Sequence, residues 1–334
     1  MKHNVVVLFL TAVLGGAASA AEPLRIEGSL DAMGTAYTLV LYDEDRQRLE
    51  TALEDAFEEV RRLDALLSNY RQNSEWSKAN RLAAAQPVVL SAELFSLLAA
   101  CQEYSALSEG AFDITVGPLM KVWGFYKGSG RLPHRAEVRT ALRNVGYRNL
   151  ELNPAGSTLR FRRPGVEMDP GGIGKGYAVD RVVKVLQERG IRSALVSAGG
   201  STIFGLGHPP QDAAWKIAIR DPKNKRLTVE QLELRDQSMS TSGTYEKFFR
   251  AGGRTYSHIM DPRTGWPAEG MLSVSVVAPR AIDSEAWTKP VFINGRRWAA
   301  SHLPAGFRAL VCEDASPRRQ FAQSRMEPPC VWLP

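Results

Sequence analysis

Apolar residues recur every three or four positions from Leu49 to Leu67: Leu49, Leu53, Phe57, Val60, Leu63 and Leu67. That spacing lines one face of a helix. The pattern returns between Ser91 and Leu107, with Ser91 placed as the N-cap. A third helix is predicted over Tyr177 to Arg189, stopped by Gly190. A short helix follows the loop around Pro133 and ends at Gly146, and Trp287 opens or sits within a final helix. Strands are predicted in "AYTLVLY" (Ala36 to Tyr42), "IRSALVSAGGSTIFG", "AWKIAIRDP", "TYSHIMDP" and "MLSVSVVAP". "LRFRRPGVEMDPGG" closes a strand pair, and the tail after Ser316 reads as basic and irregular. Helices and strands mix without strict alternation, which predicts an α+β fold rather than a doubly wound sheet. No internal repeat or low-complexity linker divides the chain. One domain over residues 21–334, with a core of about 28–312, is expected.

The first twenty residues stand apart. Lys2 and His3 precede an apolar run from Val5 to Leu14, and small residues end at Ala18, Ser19 and Ala20. This is the layout of a secretory signal peptide. The run is shorter than the roughly 20 residues that span a bilayer, although an N-terminal anchor is the plainer alternative. No cysteine follows the cleavage point to carry a lipid. The expectation is an exported protein without stable membrane insertion, in the periplasm or at the outer face of the inner membrane.

Charge narrows the partners. Lys and Arg number 42 against 36 Asp and Glu, a net +6, and the two signs are interspersed. Such a spread mildly favours anionic ligands. It lacks the basic stripe interleaved with aromatics that marks a nucleic-acid surface. Of the three cysteines, Cys101 lies in the apolar stretch "LFSLLAACQEY" and reads as a core thiol. Cys312 and Cys330 flank the tail, and export would permit a disulfide between them. No CxxC suggests zinc or a dithiol centre.

The densest chemistry lies in "MDPGGIGKGYAVD", residues 168–180. It is not a P-loop, because Lys175 is followed by Gly176 and Asp169 stands where the first glycine should be. No dinucleotide G-x-G-x-x-G fits either. Glycines still let a backbone approach a ligand closely. A following helix offers unpaired N–H groups to an anion, and Lys175 adds a full charge. On these residues alone, a phosphate loop and a tight turn before a helix remain equal readings.

Three further motifs accompany it: "VSAGGSTIFG", "STSGTYEKFF" and "YSHIMDPRTGWP". In the last, His258 and Asp261 lie three apart, and Pro262 and Gly265 build a turn. His134, His208 and His302 read as structural. His258 sits in a dense polar motif and is a candidate general base, against the commoner structural role of a lone histidine.

Taken in order, "DAMGTAYTLVLY", "LSNYRQNSEWSKAN", "GAFDITVGPLMKVWGF", "MDPGGIGKGYAVD", "LVSAGGSTIFG", "STSGTYEKFF", "YSHIMDPRTGWP" and "DSEAWTKPVFING" resemble the ApbE family of FAD:protein FMN transferases. The resemblance runs along nearly the whole chain after the leader. It implies a single T-fold-like α+β domain with mixed or antiparallel sheets and flanking helices. It implies FAD as substrate and Mg²⁺ as metal. The implied reaction attaches FMN to a threonine or serine hydroxyl of an acceptor flavoprotein and releases AMP. Acceptors of this kind belong to membrane or periplasmic redox complexes.

Carried over position by position, Met33 is similar to the family's flavin-site methionine, and Tyr70 to the tyrosine whose ring lies against the ligand. Ala111, Phe112 and Asp113 match an adenosine-side contact. Asp169, Lys175 and Ile259 match further FAD contacts. Gly172 matches a backbone oxygen offered to the metal. His258 and Asp261 resemble the motif implied in deprotonating the acceptor hydroxyl.

One corner departs from the family. Members commonly carry D-x-x-[AD]-T, and counting back from Gly295 gives Glu285, Thr288 and Lys289 here. Glutamate still suits Mg²⁺, whereas a protonated lysine cannot ligate it. A register shifted to Asp283 and Thr288 keeps an acid and a hydroxyl at altered spacing. The Lys289 ammonium would pair with a phosphate or with Glu285. The departure keeps two alternatives beside the transferase: a periplasmic FAD-binding protein without transfer, and an FAD pyrophosphatase that uses water in place of the hydroxyl.

Overall fold

Alternation of apolar and polar residues from Leu24 onward builds the first hairpin of the computed structural model, which describes residues 23–314 and 330–334. Strands β1 (Leu24–Ala32) and β2 (Thr35–Asp43) pair antiparallel, from Leu24 opposite Asp43 to Ala32 opposite Thr35. Met33 and Gly34 make the turn with φ of 51° and 73°. Positive φ at both central residues is the twist a two-residue hairpin requires.

The chain then runs through α1 (Arg46–Leu67), α2 (Glu75–Leu82), β3 (Val88–Val89), α3 (Ala92–Leu107), α4 (Gly117–Val122) and α5 (Arg135–Leu142). A second hairpin, β4 (Leu150–Asn153) and β5 (Thr158–Phe161), pairs with β3 in a small sheet ordered β3-β5-β4. Next come α6 (Gly174–Glu188), β6 (Ser193–Ala198), β7 (Thr202–Leu206), β8 (Trp215–Arg220), β9 (Thr228–Leu234) and β10 (Gln237–Gly243). The hairpin β11 (Phe248–Ala251) and β12 (Arg254–Ser257) precedes β13 (Met271–Ala278), α7 (Ala281–His302), β14 (Arg308–Glu313) and β15 (Cys330–Leu333).

Eight strands form the main sheet in the order β1-β2-β6-β7-β10-β13-β14-β15. Every neighbouring pair in it is antiparallel. The strand period of two sorts its side chains between faces. Tyr37, Leu39 and Leu41 of β2 join a core with Leu49, Phe57 and Val60 of α1 and Val179 and Val182 of α6. Val40 and Tyr42 pack instead with Trp215, Ile217 and Leu234 of the β8–β9 hairpin. Helices thus cover one face and a hairpin covers part of the other. This is the α+β arrangement expected from the sequence.

The six periodic residues of α1 are all buried, and Asp45 caps its start by accepting from Arg48 N. Ser91 caps α3 by accepting from Leu94 N. Two expectations shift. The helix after Pro133 stops at Leu142 rather than Gly146. The last residues of the tail are not irregular: Cys330–Leu333 extend the sheet, with Cys330 opposite Cys312 and bonded to it. Cys101 is a buried free thiol. The expected leader and residues 317–329 of the tail lie outside the described residues. Among the described residues, no helix is long and apolar enough to cross a membrane.

Candidate active site

A cleft of about 470 Å³ opens where the β1–β2 turn, the end of α1, the glycine-rich turn, the β6–β7 turn, the end of β10 and α7 converge. Twelve of the sequence-predicted residues line it: Met33, Tyr70, Ala111, Phe112, Asp113, Asp169, Gly172, Lys175, His258, Ile259, Glu285 and Thr288. Asp261 and Asp283 do not.

The glycine-rich segment serves local structure and the cleft together. Asp169 Oδ1 accepts the Gly171 N–H at 2.7 Å, which tightens the turn Pro170–Gly172. Its Oδ2 accepts from Tyr126 Oη at 2.5 Å and from Asn69 Nδ2 at 3.3 Å. The next turn starts α6. Gly176 lies so close to α7 that a Cβ there would sit 2.3 Å from the Ala281 carbonyl oxygen. Only glycine permits that approach.

Close approach lets α7 reach α6 with a carboxylate. Glu285 Oε2 accepts the Gly176 N–H at 2.6 Å, closing one of the orphan donors at the start of α6. Lys175 Nζ lies 2.8 Å from Oε1, a close ion pair. Lys289 Nζ lies 4.0 Å from the same oxygen and donates to the Glu285 carbonyl at 2.9 Å. Burial alone would raise the Glu285 carboxyl, but the two ammoniums and the Gly176 N–H outweigh it and hold it below its ordinary value. Burial would likewise lower Lys175, and Glu285 overrides it, so Lys175 stays cationic. Burial pushes Lys289 down to about 8, although Glu285 opposes the shift.

His258 follows β12 directly. Its backbone N–H donates to the Lys247 carbonyl at 3.0 Å, and its ring Nδ1 lies 3.1 Å from the same oxygen. A carbonyl only accepts, so Nδ1 carries the proton and Nε2 keeps its lone pair. Burial, with help from Lys247, Lys175 and Lys289, pushes the imidazole down to about 4. It is therefore neutral near pH 7. The hairpin that carries it is braced by aromatic rings: Phe249 stacks on Tyr256 at 5.2 Å, and Trp123 meets Tyr256 at 5.5 Å and Trp266 at 5.1 Å.

Other expected residues take different places. Asp261 accepts from Arg263 through N and Nε, each at 2.9 Å, and from Nη2 at 3.0 Å, so it shapes the "DPRTG" turn rather than the cleft. Asp283 accepts from Tyr104 Oη at 2.5 Å and from Arg280 at 2.7 Å. Asp283 and Thr288 lie five apart on α7, about 140° around it, and Asp283 is outside the cleft that Thr288 lines, which rules out the shifted register pairing them. Asp113 accepts from Thr115 N at 2.7 Å, Thr115 Oγ1 at 2.6 Å and Tyr147 N at 2.6 Å, and burial raises it to about 6. Tyr70 is 79% exposed at the rim. Asn69 and Tyr126, which hold Asp169, were not singled out in the sequence, although Asn69 adjoins Tyr70 in the "SNY" motif.

The residues present do not fit Mg²⁺. That ion demands near-octahedral oxygen ligands. Here Glu285 Oε1 faces two ammoniums, and Thr288 Oγ1 is committed, donating to the Glu285 carbonyl at 2.7 Å and accepting from Ser242 at 2.8 Å. Asp283 faces elsewhere. Among the described residues no three His, Cys, Asp or Glu side chains gather as a metal site.

Fold and cleft together define an α+β protein whose cleft sets two lysines, Lys175 and Lys289, near a neutral histidine. The family model described as the ApbE family matches residues 33–310. An FAD:protein FMN transferase of Klebsiella pneumoniae (strain 342) is 32% identical over 264 residues, 78% of this chain and 79% of that protein. One from Vibrio cholerae is 30% identical over 304 residues, 88% of each. The crystal structure of the ApbE protein of Thermotoga maritima aligns with a TM-score of 0.79 at 30% identity, covering 86% of this chain and 94% of that one. The flavinyl transferase ApbE of Pseudomonas stutzeri, in its apo form, aligns at 0.78 and 29%, covering 88% and 93%. This chain belongs to the ApbE family.

Proposed function

We propose that this protein is an FAD:protein FMN transferase. One observation carries the reading: the cleft pairs a cationic floor, Lys175 and Lys289, with a neutral His258 whose Nε2 lone pair is free. The lysines suit the pyrophosphate of FAD and the histidine suits a hydroxyl proton. Met33 and Tyr70 would hold the flavin end, and Ala111 to Asp113 the adenosine end.

The acceptor's threonine or serine oxygen attacks the FMN-side phosphorus. A new O–P ester bond forms as the bond to the bridging oxygen of AMP breaks. The electron pair leaves with AMP, and the hydroxyl proton goes to His258 Nε2. Such transfer rests mostly on positioning and on charge stabilisation, which Lys175 and Lys289 would supply. No step is assigned to Mg²⁺, since the donor set does not suit it. The acceptor would be a flavoprotein of a membrane or periplasmic redox complex. An exported site is supported by the Cys312–Cys330 disulfide, a bond of oxidising compartments.

The test is intact mass. The chain is mixed with FAD and a flavinylation-competent acceptor domain, and the acceptor is weighed. A gain of one FMN supports the transferase. Tight FAD binding without a gain favours the binding protein, for which the altered Lys289 corner speaks. AMP and FMN released without an acceptor would identify a pyrophosphatase.

A further inference from the structure

We propose that Lys289 is a built-in substitute for the divalent cation, so that this chain holds the FAD pyrophosphate without a metal. The inference rests on the FAD reading above. Its ground is the place that the lysine occupies. A Cβ built on Gly172 would lie 3.5 Å from Lys289 Cε, so the stem crosses the glycine-rich turn. The ammonium then ends 2.9 Å from the Glu285 carbonyl and 4.0 Å from Glu285 Oε1. Two oxygens of Glu285 thus face a charge that the chain itself supplies, on a stem that passes Gly172.

Around Glu285 the lysines are in surplus. Lys175 alone neutralises Glu285 at 2.8 Å. Lys289 is the second cation against one carboxylate, and it rests on a neutral backbone carbonyl. Of the neighbouring acids, Asp169 accepts from Tyr126 and Asn69, Asp113 from Thr115 and Tyr147, and Asp64 from Arg71 at 2.7 Å. Glu246 and Asp169, also in the cleft wall, act on Lys175, whereas Glu285 is the acid that acts on Lys289. Holding Lys289 buried beside a second ammonium, with Glu285 shared between the two, is unfavourable without a further anion. The ligand that satisfies it is a phosphate, which a lysine meets as a point charge.

Binding of FAD to the full chain, stripped with EDTA and checked for residual metal, is measured by flavin fluorescence with and without millimolar Mg²⁺. The expected affinity changes less than about twofold between the two. Lys289→Met weakens FAD about tenfold or more, the usual size of a lost hydrogen bond to a charged group. Lys289→Arg, which keeps the charge and guards against a folding defect, stays within a few-fold. Lys289→Thr weakens FAD without metal and recovers with Mg²⁺. A parent chain that binds FAD tenfold better with Mg²⁺, or a folded Lys289→Met with parental affinity, overturns the inference while leaving the transferase reading intact. Metal-independent FAD binding without FMN transfer supports the inference and overturns the transferase.

Discussion

Gly176 donates its backbone N–H to Glu285 Oε2 at 2.6 Å, so a carboxylate from α7 caps the start of α6. The same carboxylate anchors Lys175 and lies within reach of Lys289. Cap, ion pair and cleft floor therefore share one side chain that is 2% exposed.

Removing that side chain is expected to be severe. Glu285→Ala leaves two ammoniums facing each other and an unmet N–H. Breaking a buried pair by removing one partner typically costs about 3–5 kcal/mol. Glu285→Gln keeps an oxygen for Gly176 and should lose less. Urea unfolding of both variants checks the order, and an alanine variant within about 1 kcal/mol of the parent contradicts the shared role.

Gly176→Ala tests the helix contact instead of the charge. Its Cβ would collide with the Ala281 backbone, which has no flexible end to move aside. The expected outcome is separation of α6 from α7, with FAD affinity falling together with the unfolding midpoint. An alanine variant with parental FAD binding would show that the cleft tolerates the gap.

Stability and ligand binding should separate at the other end of the sheet. Cys312 and Cys330 close a loop of sequence separation 18 and fasten β15 to the edge. A loop of this size contributes about 3 kcal/mol in the chain-entropy model. Dithiothreitol, or Cys330→Ser, should lower the melting temperature. FAD affinity should not change, because β13 and β14 stand between β15 and the β10 end that lines the cleft. Loss of FAD binding on reduction would place the tail in the site.

How far the sequence could be read follows from the physics of each segment. The face of α1 and the Ser91 cap of α3 are local signals, and the structure repeats them. β10, "QSMSTSG", gave no strand signal because Met239 is its one large apolar residue and Ser238 and Ser240 are buried beside it. Ser238 and Ser240 both bond Ser284 Oγ, at 3.0 and 2.8 Å, so hydrogen bonds rather than apolar area hold that strand under α7. The motif around His258 was visible, but the split between His258 in the cleft and Asp261 in the turn was not. It depends on Arg263 claiming the carboxylate, a choice among several local partners. Asn69 and Tyr126 escaped because they meet Asp169 across 100 and 43 residues of chain.

His258 carries the prediction that reaches furthest into the chemistry. An unperturbed histidine titrates near 6.5, whereas burial pushes this one to about 4. Between those values the unfolded chain holds a proton that the folded chain lacks. This group's contribution to stability is therefore complete above about pH 6.5 and falls as the pH drops towards 4. For catalysis the sign is favourable, since Nε2 stays unprotonated through the neutral range. The acid limb of kcat/KM, which reports the free enzyme, should lie near pH 4 rather than 6.5. Bound pyrophosphate adds negative charge beside the ring and favours its protonated form. The acid limb of kcat should then sit at higher pH than that of kcat/KM. His258→Asn keeps a polar group of similar reach but no base, and should lower kcat by about 10²- to 10⁴-fold with FAD affinity held. An acid limb that survives in His258→Asn would assign the proton transfer to another group.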